Sequence, residues 1–191
     1  MGLKLVTVPE EEPIDLDAAK KHLRVEHEDE DLLITSLITA ARETAEITTG
    51  RAFLTQEWEL TLDAFPAAGF DLPRPPLQSV TSVKYLDVNG VEQTLATAKY
   101  LVDTRSEPGR VTPAYGEIWP STRNVINAVT VKFKAGYGAV PEVPESLKSA
   151  IKLLLSHFYE IREPVNVGNI VTEIPLGVER LLWQHKVVTF A

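Results

Sequence analysis

The chain has 191 residues, 44% of them hydrophobic and 24% charged, which is the balance of a globular domain large enough to bury a core. It contains no cysteine, so a disulfide framework and a thiolate metal site are both excluded. The sequence shows no secretory signal and no apolar run of membrane-spanning length, so we expect no membrane partner and assembly in the cytoplasm.

Acidic side chains are concentrated near the start of the chain. Residues 1–50 contain 12 acidic and 5 basic residues, and so hold −7 of the total net charge of −8. Phosphate binding requires clustered Lys and Arg, so this part of the surface is not expected to wrap DNA tightly. The pattern is compatible with a surface past which DNA slides, and equally with acid that serves only solubility.

An extended arm and a short helix are predicted first. The arm, residues 1–13, contains Pro9 and Pro13, which forbid a helix across it. A short helix is predicted over residues 16–23, with Asp15 as its N-cap.

A long amphipathic helix is predicted from Asp31 to Gly50. Its apolar residues recur with helical spacing at Leu33, Ile34, Leu37, Ile38, Ala41 and Ala45. Asp29 or Asp31 is expected to cap its start, and Gly50 to close its end in a left-handed conformation. This helix needs a partner that covers its apolar face.

The sequence between residues 55 and 135 predicts antiparallel β structure. Residues 56–62 alternate in the manner of a half-buried strand, and residues 79–95 predict a hairpin around the turn signal at Asp87–Gly90. Further strands are predicted at 99–103, 109–112, 117–119 and 128–134. The residues expected to face the interior are Trp58, Val83, Tyr85, Val131 and Phe133.

A second long helix is predicted from Glu145 to Glu163, with Pro144 in its first turn. Its apolar stripe consists of Leu147, Ile151, Leu154, Leu155 and Phe158. We expect the two long helices to pack against each other through these stripes. An extended segment over 166–174, a brief helical turn and a final strand over 185–191 are predicted to follow.

No strong catalytic or metal motif accompanies these elements. His22, Glu26, His27 and Asp29 are close enough in sequence to surround a metal, but a solvated acidic turn explains them more simply. The following acids, Glu28 to Asp31, lack the spacing and glycine of a calcium loop. Phosphate-loop, nucleophile-elbow and zinc-helix motifs are missing from the sequence. We therefore predict no enzyme activity, no metal and no cofactor.

The C-terminal tail contains more apolar side chains than a free segment should expose. Its candidate assembly contacts are Ile170, Val171, Ile174, Leu181, Leu182, Trp183 and Phe190. One interpretation is that the tail and the N-terminal arm pack on their own domain. The other is that they reach neighbouring copies by strand addition or docking.

The order of several segments resembles a known family. These are DLDAAKKHLRV, DEDLLITSLITAARETAE, PRPPLQSVTSVKYLDVNG, AVTVKFKAGYG and VPESLKSAIKLLLSHFYEIRE. The chain is similar in this respect to the phage head–tail connector (adaptor) proteins of long-tailed phages and gene transfer agents. The resemblance covers nearly the whole chain and rests on the set rather than on one motif. The β insertion is a departure, since small members of the family lack it.

This resemblance implies a helical core with a β insertion and no catalytic residues. It also implies a homo-oligomeric ring, commonly of twelve copies, docked below the portal protein. Such a ring continues the DNA channel without binding DNA specifically, and offers a platform to the next neck or tail-completion protein. The implied location is the head–tail junction of a virion assembled in the cytoplasm of a bacterial host.

We therefore predict an α+β fold and a structural function as a head–tail connector. The helical core is expected to comprise residues 1–54 and 140–191, and the inserted antiparallel β domain residues 55–139. The acids expected to face the channel or its rim, at least in part, are Glu26, Glu28, Asp29, Glu30, Asp31, Glu43 and Glu46. The alternatives are a β-sandwich that binds protein or carbohydrate on a helical base, and an enzyme with a cleft between insertion and helices.

Overall fold

The computed structural model describes residues 1–161 and 176–187. In these residues the chain is an α+β protein, as predicted, with four α-helices and two antiparallel sheets. It divides into two compact units. The helical unit comprises Glu10–Leu54 and Gly138–Val188, and the β unit comprises Met1–Pro9 and Thr55–Tyr137.

The helices of the helical unit are α1 (Leu16–Leu23), α2 (Asp31–Thr49), α3 (Glu145–Glu160) and α4 (Leu176–Trp183). Asp15 caps α1 as predicted, because its Oδ1 accepts a 2.6 Å hydrogen bond from the N–H three residues on. Gly50 ends α2 with a φ of 75°, a left-handed conformation that costs glycine little. The predicted N-cap of α2 was wrong, because Glu30 holds that position and no side chain caps it.

The apolar stripes of α2 and α3 are buried within the helical unit. Their buried apolar side chains are Ile34, Ile38, Ala41 and Ala45 on α2, and Leu147, Ala150, Ile151, Leu154 and Leu155 on α3. Helix α2 contacts α3, and α4 contacts both of them. Leu37 and Phe158 are only partly buried, and α3 ends at Glu160 rather than at Glu163.

The strands of the β unit are β1 (Gly2–Thr7), β2 (Gln56–Leu62), β3 (Phe70–Leu72), β4 (Leu77–Leu86), β5 (Glu92–Thr94), β6 (Tyr100–Asp103), β7 (Gly109–Pro113) and β8 (Val129–Ala135). One sheet has the order β1-β2-β8-β4-β5 and the other the order β3-β7-β6. Every pairing is antiparallel. The predicted hairpin over residues 79–95 is confirmed by the pairing of β4 with β5.

Strict alternation along β2 and β8 builds the core of the β unit. Every second residue of each strand is buried, and the register places Trp58 opposite Phe133 and Leu60 opposite Val131. Because opposite residues in a ladder share a face, these side chains form one continuous apolar surface. Of the residues expected in the interior, Trp58, Val83, Val131 and Phe133 are buried and Tyr85 is partly buried.

The N-terminal arm belongs to the β unit and not, as we expected, to the helical core. Strand β1 pairs with β2, with Leu3 opposite Leu60 and Leu5 opposite Trp58. The reason is physical, since these two leucines extend the apolar face of β2 by one more strand. The sequence predicted an extended arm but did not reveal its partner strand.

The strand predicted at residues 117–119 is wrong. These residues form a loop that Trp119 anchors, with its indole N–H donating to the Pro66 carbonyl at 2.9 Å. The indole ring also stacks on Phe65, with 4.7 Å between ring centroids. The partly buried Trp119 therefore packs within the β unit from a loop and not from a strand.

The predicted final strand is also wrong in its described part, because residues 185–187 are not in a strand. The rest of that strand, and the extended segment predicted over 166–174, lie outside the described residues. Among the helices that the structure describes, none combines the length and the apolar character needed to cross a bilayer.

Candidate assembly surfaces

The turn between α1 and α2 carries the most concentrated acid. Glu26, Glu28 and Asp29 are exposed there. Glu30 is partly buried and accepts a hydrogen bond from the Tyr159 hydroxyl of α3. Within this turn, the acids of the predicted channel set that face solvent are therefore Glu26, Glu28 and Asp29.

The last acid of the turn, Asp31, forms an ion pair within the helical unit. The Asp31 Oδ1 atom lies 2.7 Å from Lys20 Nζ, and both side chains are partly buried. This ion pair ties the start of α2 to α1. No group of three or more metal-ligating side chains gathers in the part of the chain that the structure describes.

Glu46 is a correction to the predicted channel set, because it is buried within the helical unit with 7% of its surface exposed. Its Oε2 accepts a 2.8 Å hydrogen bond from Arg42 Nη1, one helical turn away. Its Oε1 accepts a 2.7 Å bond from the backbone N–H of Phe53. Glu46 thus fixes the chain that leaves α2 and cannot belong to a surface that meets DNA.

Arg42 is the cation at the centre of this buried network. It is 4% exposed, and its Nε donates a 2.8 Å hydrogen bond to Glu12 Oε2. Burial by itself acts to lower the pKa of Arg42. The hydrogen bond to Glu12 and the charges of Glu46 and Glu12 outweigh that effect, so the pKa is raised. Arg42 therefore stays charged and joins α2 to the segment before α1.

The tail residues proposed as assembly contacts fall into three groups. Ile170, Val171, Ile174 and Phe190 lie outside the described residues. Leu182 is a correction, because it is buried in the helical unit together with Val178 on the inner face of α4. Leu181 is partly buried, and Trp183 is 65% exposed.

Hydrogen bonds hold the described residues after α4 to the helical unit. The His185 ring nitrogen Nε2 lies 2.7 Å from Ser146 Oγ, and the His185 carbonyl accepts a bond from Arg51 Nε. The Val187 N–H donates to the Thr49 carbonyl at 2.8 Å. These bonds, together with the buried face of α4, show that this part of the tail packs on its own unit.

Comparison with known proteins decides what kind of protein carries these surfaces. Residues 13–105, just under half of the chain, match the family model described as phage gp6-like head-tail connector protein. The chain also superposes on a subunit in the neck of an empty gene transfer agent particle computed with C6 symmetry, with a TM-score of 0.83 and 25% identity. The match covers 100% of this chain and 98% of the other chain.

The role of this chain is that of a head–tail connector. A chain in the virion of a native gene transfer agent particle gives the same TM-score, identity and coverage. One in the neck of the native particle computed with C12 symmetry gives a TM-score of 0.81, again with 25% identity and the same coverage. No curated protein sequence gives a significant match. The resemblance seen in the sequence is therefore confirmed, and the connector is a component of a phage-like virion.

The connector also exposes apolar side chains that the sequence pattern did not reveal. On the outer face of α2, Leu32 is 89% exposed and Ile47 is 71% exposed. On α4, Leu176 is 70% exposed and lies on the same face as Trp183. Helical periodicity finds the buried stripe of a helix, but a few large apolar residues on the opposite face give no periodic signal of their own.

Loops of the β unit form another exposed apolar region of the connector. Tyr115, Ile118 and Ile126 are almost fully exposed between β7 and β8. Beside them, Lys99 Nζ and Glu117 Oε2 form an ion pair at 2.8 Å. This region therefore offers exposed apolar contact area.

Proposed function

We propose that the connector forms a ring below the portal protein of a tailed phage or gene transfer agent, continues the DNA channel and joins the head to the tail. The observation that carries this proposal is the likeness over the whole chain to neck subunits of gene transfer agent particles computed with C6 and C12 symmetry. The connector family model over residues 13–105 supports the same role. Twelve copies would suit both symmetries.

We further propose that the helical unit is the connector core and that the β unit is an insertion in it. In support, residues 55–137 separate α2 from α3 in sequence, although these two helices contact each other. The proposed partners are the portal protein on one side and the next neck or tail-completion protein on the other. The role is structural and not enzymatic, and assembly takes place in the bacterial cytoplasm.

The exposed acids of the turn before α2 are proposed to face the lumen or its rim. The candidates are Glu26, Glu28 and Asp29, since all three are exposed and the partly buried Glu30 and Asp31 bond within the unit. Repeated around a ring, these carboxylates would form a negative band. Such a band repels phosphate, so DNA would pass without specific binding.

Removal of the connector from the producing strain tests the proposed function. We expect heads that contain DNA but carry no tail in negative-stain electron microscopy, because the platform for the next neck protein is missing. Expression of the full chain in trans should restore tailed particles that contain the connector. Normal tailed particles without the protein would contradict the proposal and would favour the alternative of an accessory binding module.

A further inference from the structure

The outer face of α2 is poorly suited to permanent contact with water. The buried residues of this helix lie on one side, and the opposite side carries Leu32, Ser36, Ala40, Glu43 and Ile47. Glu43 is the only charged residue on that side of this fully described helix. Solvent-facing helical surfaces are normally rich in charge, so this composition points to a protein partner.

The hydroxyl groups on and beside this face already have their hydrogen bonds. Thr35 Oγ1 donates to the Asp31 carbonyl at 2.8 Å, and Ser36 Oγ donates to the Leu33 carbonyl at 2.7 Å. Thr44 Oγ1 bonds the Ala40 carbonyl in the same way at 2.8 Å. Because these side chains turn back onto the helix backbone, covering them removes few bonds to water.

The outer face of α4 has the complementary set of side chains. Leu176, Arg180 and Trp183 are all exposed and share one face at the spacing i, i+4, i+7. Lys186 Nζ lies 5.0 Å from the centre of the Trp183 ring. Among the described residues, none has an atom within 4 Å of a Cβ added at Gly177, so no part of the chain that the structure describes covers this side of α4. Exposed Trp and Arg together are typical of the energetic centre of an interface.

We propose that the outer face of α4 in one copy packs antiparallel on the outer face of α2 in the next copy of the ring. In this register Arg180 meets Glu43, Leu176 meets Ile47, and Trp183 meets Ala40. The first pair has opposite charges, and the second pair is apolar on both sides. In the third pair the large Trp183 ring packs on the small side chain of Ala40. The spacing agrees, because Leu176 to Trp183 and Ala40 to Ile47 each span about 10 Å along a helix.

The antiparallel direction follows from the charges. A parallel alignment of the same segments would place Arg180 opposite Thr44 and leave Glu43 without a cation from α4. The interface uses two different faces of each copy, so it is heterologous, and such contacts close into rings when the rotation between copies allows it. The inference thus rests on the proposed ring and assigns its lateral contact.

Cross-linking tests the assignment, and the lack of native cysteine makes it clean. Two tagged single-cysteine variants, Glu43→Cys and Arg180→Cys, are produced together in a strain without the native connector, and particles are purified and mildly oxidised. We expect a covalent dimer that contains both tags. The matched control replaces Arg180→Cys by Ser149→Cys, an exposed position on α3, and should give no dimer.

Charge reversal gives a second readout. Arg180→Glu should lower the amount of connector in particles about tenfold, because it sets two carboxylates against each other across the interface. The double variant Glu43→Arg, Arg180→Glu should restore incorporation to within about twofold of the natural chain, because the reversed pair again attracts. Failure of the double variant to recover would contradict the pairing.

The outcomes separate this inference from the proposed function. If the natural chain enters particles but Glu43→Cys and Arg180→Cys never cross-link, the lateral contact is wrong and the connector role stands. If the natural chain is missing from particles, the connector role fails, and the lateral contact fails with it.

Discussion

At the scale of single residues, charged side chains of the connector act in two ways. Some form a buried network, and others form hydrogen bonds near the surface. Arg42 and Glu46 are charged side chains within a predominantly small and apolar helix, and they are buried against each other and against Glu12. Burying such a set costs solvation free energy that only complete pairing offsets. The effect of these buried ion pairs and hydrogen bonds is to fix the position of the segment before α1 relative to the end of α2 and to the chain that leaves α2.

Arg42→Ala should therefore destabilise the helical unit by about 3–5 kcal/mol, because it leaves the carboxylate of Glu46 buried without its cation. Urea unfolding followed by far-UV circular dichroism would measure the change. The matched control is Glu43→Ala. Glu43 is 60% exposed and 3.7 Å from Arg42, so its loss should cost less than about 1 kcal/mol. Equal effects of the two substitutions would show that burial does not govern this network.

Asp103 illustrates the second use of charge, at the end of β6, where the turn to β7 begins. Its carboxylate accepts hydrogen bonds from the Ser106 hydroxyl at 2.6 Å, from Arg110 Nη2 at 3.0 Å and from the Arg105 N–H at 2.9 Å. These bonds favour the charged form, and they hold the pKa of Asp103 well below its usual range. A carboxylate whose pKa is lowered on folding stabilises the fold above its unfolded pKa, and this contribution is lost as the pH falls.

We expect Asp103→Asn to lower the melting temperature at neutral pH. The difference from the natural chain should shrink as the pH falls below about 4, the pKa of an unfolded Asp. Scanning fluorimetry over a pH series would measure both curves. Asp71→Asn controls for the loss of one exposed charge on the other outer strand of the three-stranded sheet. A difference that grows toward acid pH would reverse the sign of the argument.

At the scale of elements, the sequence placed most segments well, including the short strands predicted at 99–103 and 109–112, but failed at the three-residue segment 117–119. Helices α1 and α2 and strands β2 and β8 have strong periodic patterns, and they were placed within a residue or two of the structure. The strand assigned to 117–119 failed because three residues cannot establish a period. The position of β1 could not be predicted either, because strand partners far apart in sequence leave no local signal.

The candidate surfaces were harder to predict than the elements. The sequence placed Glu46 with the exposed acids, and only the fold shows that Arg42 and the Phe53 N–H bury it. Likewise, Leu182 was an apolar tail residue in the sequence and is a core residue in the structure. Exposure depends on tertiary contacts, so composition can supply the candidates for a surface but not select among them.

Two adjacent leucines of α3 give a direct test of which face the helix buries. Leu154 is fully buried, whereas Leu153 is 41% exposed. Leu154→Ala should cost about 2–5 kcal/mol through lost burial and the cavity left behind. Leu153→Ala is the matched control, since it makes the same change in the same helix, and we expect a cost below about 1 kcal/mol. Similar melting temperatures for the two variants would contradict the packing of α3.

The burial of α4 makes deletion of the C-terminal tail a poor test of whether the tail is needed for assembly. Val178 and Leu182 are fully buried, so removing residues 165–191 would remove part of the core of the helical unit. That deletion would confuse loss of folding with loss of assembly. Substitutions on the outer face of α4, such as Trp183→Ala, leave the buried face intact and separate the two effects.

At the scale of the whole molecule, the acid of the first fifty residues remains the feature with the widest consequence. Each copy carries a net charge of −8, and Glu26, Glu28 and Asp29 are exposed in one turn. Twelve copies in a ring would repeat that turn around the axis. The repulsion between this turn and phosphate would act over about 8–10 Å at physiological salt. It would therefore reach DNA that passes close to the wall of a narrow channel.

We therefore expect the isolated connector to bind duplex DNA weakly or not at all in a gel-shift assay at low salt, where phosphate contacts are strongest. The matched variant Glu26→Lys, Glu28→Lys, Asp29→Lys leaves the buried Arg42 network untouched and should gain DNA binding that fades with added salt. Tight, salt-sensitive binding by the natural chain would contradict the channel-wall proposal.

The decisive comparison is in particles. If the three acids line the channel, the lysine variant should assemble normally but deliver its DNA less efficiently, because the new cations hold phosphate. If the acids serve only solubility, the variant should deliver DNA as the natural connector does, since a charge on the outer wall never meets the passing duplex.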